Sequence, residues 1–232
     1  MRIAFFGDSL TEGTPGVSFL AALGPLLAEH ELENCGKRGE TVVSLHRRIL
    51  RRHHHAPGDT AVLWIGVNDV LAKLSLGHAM VKRLMNQPPA KDLSEFRDYY
   101  RRISERLLID ADRVFAISPL LIGEDLSNRW NRELGDMSAS IASVASSCDR
   151  VEYIDLRSVI AQRLAASTPS GYVPKRVTAV ARDALFLRTP RAVDSASLSR
   201  GLRLTLDGVH LNSAGATLVA EIFRQAVRSC SL

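Results

Sequence analysis

The chain has 232 residues, 46% hydrophobic and 24% charged, the make-up of a soluble globular protein. It is long enough for one α/β domain over 1–232, and no apolar run approaches the ~20 residues of a membrane-spanning helix. The formal charge of +5 is not a basic field over the whole chain. Seven Lys or Arg against Asp183 and Asp194 place the entire excess in residues 166–205.

Arg2 to Phe6 is a short apolar run that reads as a buried strand. Gly7-Asp8-Ser9-Leu10-Thr11 turns the chain, and a helix is expected from about Val17 to His30. The start lacks a signal-peptide pattern, so a cytosolic location is expected. A short strand follows around Leu32 to Cys35, then a loop through Gly36 and Gly39. Thr41 is placed to cap a helix that turns Val42, Leu45, Ile49 and Leu50 inward and Arg47, Arg48, Arg51 and Arg52 to water. His53-His54-His55 suggests a metal site, but adjacent helical residues point in different directions and chelate poorly. Pro57-Gly58-Asp59 reads as a turn.

Thr60 to Ile65 is continuously apolar, as in a central parallel strand covered on both faces. Gly66-Val67-Asn68-Asp69 follows directly. The connection 70–92 is long, the kind that often forms lids or binding loops. Its Leu76, Met80, Val81, Leu84 and Met85 have partly helical spacing and either line an acyl site or belong to the core. Asp92, with Glu95 three residues on, starts a helix carrying Leu93, Phe96, Tyr100, Ile103 and Leu107 on one face. A strand from Arg113 to Ile117 ends at Ser118-Pro119. Ser127 to Cys148 is helical, Val151 to Ile154 is the fifth strand, and Leu156 to Leu164 is a short helix.

Residues 166–205 read as irregular, broken by Pro169, Gly171, Pro174 and Pro190. They face either an anionic substrate or only water. Asp207-Gly208-Val209-His210 precedes a last helix, capped at Asn212 or Ser213, with Val219, Phe223 and Val227 on its inner face. Cys35, Cys148 and Cys230, without a C-x-x-C, fit neither a disulfide framework nor a zinc site. Strands alternating with helices argue a doubly wound parallel α/β sheet.

In such a sheet the carboxyl ends of the strands share one edge, where ligands bind. Ser9, Gly39, Asn68 and the Asp207/His210 pair are all expected there. Acyl transfer by serine needs a base for the hydroxyl proton, a carboxylate to orient the base, and donors for the oxyanion. Ser9, His210 and Asp207 supply the first set. The backbone N–H groups of Ser9 and Gly39 and the Asn68 amide supply the donors. The order Ser, Asp, His is that of α/β-hydrolases, but their G-x-S-x-G elbow is absent.

Four ordered blocks carry a resemblance to the SGNH hydrolases, the GDSL-type lipases and esterases. Gly7-Asp8-Ser9-Leu10 resembles the first block and Asn34-x-Gly36-x-x-Gly39-x-Thr41 the second. Gly66-x-Asn68-Asp69 is similar to the third, and Asp207-Gly208-Val209-His210-Leu211-Asn212 to the last. The resemblance runs from residue 3 to about 228 and weakens at 166–205. It implies a flavodoxin-like three-layer α/β/α sandwich on a five-stranded parallel sheet. It also implies a serine hydrolase of small-molecule carboxylic esters, an esterase or lipase, with no metal and no cofactor. An acyltransferase or a carbohydrate O-deacetylase would use the same triad. An inactive binding module for an anionic partner is the remaining alternative, though no nucleic-acid motif is present. The segments 70–92 and 166–205 are the expected walls of the pocket.

Overall fold

A computed structural model describes residues 1–51, 58–165 and 168–229. Five strands, β1 (Arg2–Gly7), β2 (Glu31–Gly36), β3 (Gly58–Trp64), β4 (Ala111–Ile117) and β5 (Val151–Ile154), form one sheet in the order β2-β1-β3-β4-β5. Every neighbouring pair is parallel. Strand order reverses between β1 and β3, the switch point where open α/β sheets hold ligands. Both strands are apolar because helices cover both of their faces.

The helices fall into two layers. Helices α1 (Ser9–Glu12) and α2 (Phe19–Leu23) follow β1. Helix α3 (Val42–Arg51) follows β2; α4 (Val67–Leu71), α5 (Leu76–Leu84) and α6 (Leu93–Leu107) lie between β3 and β4. Helix α7 (Arg129–Ala145) joins β4 to β5; then come α8 (Leu156–Ala165), α9 (Val177–Phe186), α10 (Pro190–Ser199) and α11 (Ser213–Ser229). Helix α2 packs on α11, and α6 packs on both α3 and α7. Phe19 of α2 and Phe223 of α11 stack at 5.2 Å and meet Phe5 of β1 and Trp64 of β3 edge-on. In the second layer the buried Tyr100 hydroxyl of α6 donates to the Leu63 carbonyl of β3 at 3.1 Å.

Several elements depart from the sequence reading, each for a local reason. The helix expected over 17–30 is only α2 plus one 3-10 turn (Gly24–Leu27), because Pro25 lacks the N–H that would continue it. Helix α1 starts at Ser9 itself, where Asp8 caps it. Gly58 and Asp59 begin β3 instead of turning. Leu50 and Leu93 are exposed, being off the buried stripes of α3 and α6. The irregular segment holds two ten-residue helices. Pro190 does not break the second but opens it, with Thr189 as cap, since a first-turn proline gives up no helical hydrogen bond. The three histidines and Cys230 lie outside the described residues.

Candidate functional site

Ser9 stands at the first residue of α1, directly past the end of β1. Asp8 holds it there: its Oδ1 accepts from Leu10 N at 2.9 Å. The Ser9 Oγ lies 3.0 Å from His210 Nε2, although 201 positions separate the two residues. His210 Nδ1 is 2.8 Å from Asp207 Oδ2, and Asp207 Oδ1 accepts the backbone N–H groups of Val209 (3.1 Å) and His210 (2.9 Å). A carboxylate on Nδ1 keeps the proton there and leaves Nε2 as the lone pair facing serine. All three side chains are buried, yet Ser9 and His210 keep 6% exposure at a cavity.

Asp207 and His210 are not on a strand end. They sit in the loop between α10 and α11, and one of the groups that anchor that loop is Glu124, in the loop after β4. The buried Glu124 carboxylate accepts from Arg203 N, Leu204 N, Thr205 N and Thr205 Oγ1 at 2.7–2.9 Å. Gly123 N adds a 2.7 Å bond to Gly208 O. The sequence reading missed Glu124, since it belongs to no block and an acid after a strand is ordinary loop chemistry.

Gly39 and Asn68 also converge on Ser9, all three lining one cavity with His210. Gly39 has φ +74, the left-handed conformation that favours glycine over any residue with a side chain. Gly66, at φ +127, opens α4 and swings Asn68 to the edge. The Asn68 Nδ2 donates to Asp8 Oδ2 at 3.0 Å. Asp69 ties the neighbouring elements together, accepting Val42 N at 3.0 Å and Ala90 N at 2.9 Å. Lys82, on α5, donates to Asn68 Oδ1 at 2.7 Å and to Gly39 O at 2.5 Å. It too was missed, as one charge in a helix otherwise read for its apolar spacing.

The charges follow from burial. Desolvation raises the Asp8 and Asp69 carboxyls to about 6 and lowers the Lys82 ammonium to about 8. Burial alone would lower His210 and raise Asp207, but each one's charge and hydrogen bond overrides this in the other. His210 is held above its ordinary value and Asp207 below it.

The cavity measures about 270 Å³ and its walls are apolar. Leu71, Val81 and Met85 line it together with Pro174, Val177, Val180, Ala181 and Ala184. Both long segments therefore contribute walls, through α5 and α9. Leu76, Met80 and Leu84 are neither wall nor core: they point outward and are exposed. The basic residues of 166–205 are absent from the cavity lining, and Arg200 pairs instead with the buried Asp183 at 2.7 Å. Ser118, the other strand-end serine, accepts Arg157 N and so ties α8 to β4. Among the described residues, no group of three or more His, Cys, Asp or Glu is placed to hold a metal.

A family model described as the GDSL-like lipase/acylhydrolase family matches residues 5–218. No curated protein matches the chain. Among solved structures, the acetylxylan esterase Axe2 from Geobacillus stearothermophilus is 16% identical with a TM-score of 0.68, covering 97% of this chain and 93% of that one. The acetyl xylan esterase AlAXEase is 23% identical with a TM-score of 0.67 over 98% and 100% of the two chains. LAE5, an α/β hydrolase from the metagenome of Lake Arreo, Spain, is 16% identical with a TM-score of 0.68 over 98% and 94%. At these identities the likeness is one of fold.

Proposed function

We propose, for a chain that belongs to the GDSL-like lipase/acylhydrolase family and cleaves ester bonds, that Ser9 is the nucleophile, His210 the general base and acid, and Asp207 its orienting carboxylate. The backbone N–H groups of Ser9 and Gly39 and the Asn68 Nδ2 form the oxyanion hole. Ser9 Oγ attacks the ester carbonyl while His210 Nε2 takes its proton. The buried Asp207 stabilises the imidazolium, and the N–H donors hold the negative oxygen. His210 then protonates the leaving alcohol. Water, activated by the same imidazole, releases the acid from the acyl-serine. The observation that carries this reading is the unbroken line Ser9 Oγ, His210, Asp207, at 3.0 and 2.8 Å.

The apolar walls favour an ester with an aliphatic acyl group. Carbohydrate O-deacetylation is the second reading, since two of the similar structures are esterases of acetylated xylan. Acyl transfer to another alcohol would use the same residues. The assignment is tested by labelling with a fluorophosphonate and by Ser9→Ala. We expect one label, on Ser9, and a loss of at least ~10³-fold in kcat in the variant. Full activity without Ser9, or a label on another residue, would overturn it. A rate series over p-nitrophenyl esters from acetate to palmitate, run beside acetylated xylo-oligosaccharide, separates the two substrates. Preference for an acyl chain longer than acetate supports the aliphatic reading, and faster release from the sugar supports the other.

A further inference from the structure

We propose that Lys82 is a positioning residue of the ester-cleaving site, whose buried ammonium locks the Asn68 amide and the Gly39 loop in their donor geometry and sets a positive charge behind the oxyanion. The inference rests on the reading of Gly39 and Asn68 as oxyanion donors and deepens it.

An asparagine amide has two orientations, and only its hydrogen-bond partners decide between them. Here both ends are specified. Lys82 has only hydrogens to offer, so the atom at 2.7 Å from its Nζ must be the amide oxygen. Ionised Asp8 has only lone pairs to offer, so the atom at 3.0 Å from its Oδ2 must be the amide nitrogen. One Nδ2 hydrogen is thereby spent on Asp8 and the second is left for the cavity. The same ammonium reaches Gly39 O at 2.5 Å, so one cation spans both elements that supply donors beyond Ser9. A cation on the amide oxygen also polarises the amide and strengthens its remaining N–H as a donor.

A lysine used only to fasten α5 would be a poor choice. Lys82 is 6% exposed, and burying an ammonium is costly. Its surroundings support the charged form. Asp8 from the β1–α1 turn, Asp69 from α4 and Glu40 from the loop before α3 all favour it. Its charge works against protonation of His78 on α5 and of His210, though Asp207 keeps His210 raised on balance, and Arg38 lines the same cavity. Burial nonetheless leaves the ammonium losing its proton near pH 8. Loss of that proton removes the charge behind the oxyanion, and activity should fall with it.

The test begins with the unmodified protein. Its kcat/KM on p-nitrophenyl butyrate, corrected for spontaneous hydrolysis, should fall on an alkaline limb near pH 8. Lys82→Met should lose roughly ten- to a hundredfold in kcat with little change in KM and should lack that limb, while Ser9 is still titrated by a fluorophosphonate. Lys82→Cys alkylated with bromoethylamine rebuilds an amine of nearly the same length that ionises at lower pH. It should recover the rate, with the limb displaced downward; unmodified protein given the same treatment controls for Cys35, Cys148 and Cys230. A flat profile to pH 10 in the unmodified protein, an unaltered kcat in Lys82→Met, or a loss confined to KM would each overturn the proposal. If Lys82→Met fails to fold, Lys82→Gln, which keeps a hydrogen-bond donor without the charge, takes its place with the same expected loss in kcat and the same missing limb. Failure of the fluorophosphonate to label Ser9 in the unmodified protein would instead sink the Ser9 assignment.

Discussion

Two opposed demands meet at His210. It must be neutral to accept the Ser9 proton, yet Asp207, 2.8 Å from its Nδ1, favours the cation and raises its pKa. The sign follows directly. Below its raised pKa the imidazole carries the proton and cannot act as base. We therefore expect kcat/KM to fall as pH drops through a value above the ordinary 6.5, with one proton taken up. A rate held constant down to pH 5 would contradict His210 as the base. The blocks made Ser9, Gly39, Asn68, Asp207 and His210 legible as candidates, because each pairs a reactive or donor group with a turn glycine or a cap. Asp8 read only as part of a turn, and in the structure it caps that turn and also holds the Asn68 amide. Lys82 and Glu124 were not legible: their partners are 14 to 81 positions away, a separation that no local pattern records.

Among the elements, strands and amphipathic helices were readable because burial imposes a period on them. The Asp92-capped stripe is α6, and its Phe96, Tyr100, Ile103 and Leu107 are buried as the period requires. The fifth strand is where the apolar run put it. Short helices α9 and α10 were not readable, since each buries few side chains and so leaves a weak period. The loop bearing Asp207 and His210 has no period at all, and Glu124 is one of the groups that anchor it. Glu124→Ala would leave the buried backbone N–H groups of Leu204 and Thr205 and the part-buried one of Arg203 without their acceptor. At about 1 kcal/mol or more for each, the loss should be on the order of 3 kcal/mol of stability, read from urea denaturation. Activity at low temperature, where the variant stays folded, should fall as well, because His210 is no longer held against Ser9. An unchanged kcat would show that the loop is held by other means.

Across the whole molecule, the aromatic group at the switch point joins four elements: the strand that leads to Ser9, helix α2, the strand that leads to Asn68, and the last helix. Phe223 is 1% exposed and touches Phe5, Phe19 and Trp64. Phe223→Ala should cost about 3–5 kcal/mol, as large-to-small changes in cores do. We propose that 1–232 unfolds as one unit, so circular dichroism and esterase activity should be lost in a single coincident urea transition, shifted by the variant to lower urea. Two separated transitions would mean that 166–205 folds independently. No helix among the described residues is long and apolar enough to cross a membrane. The excess charge of 166–205 stays outside the cavity, which is walled there by Pro174, Val177, Val180, Ala181 and Ala184.

The sequence alone determined the α/β class, the positions of the five strands, the family resemblance and the candidate site residues. All of these rest on local signals: burial periods, turn glycines and short ordered blocks. Only the tertiary structure decided which residues of the two long segments wall the cavity, that Glu124 helps anchor the loop bearing Asp207 and His210, and that Lys82 bridges Gly39 to Asn68. For Glu124 and Lys82 the physical reason is the same. A buried charge is stable only where partners from elsewhere in the chain meet it, and those partners are chosen by the packing of the whole sheet.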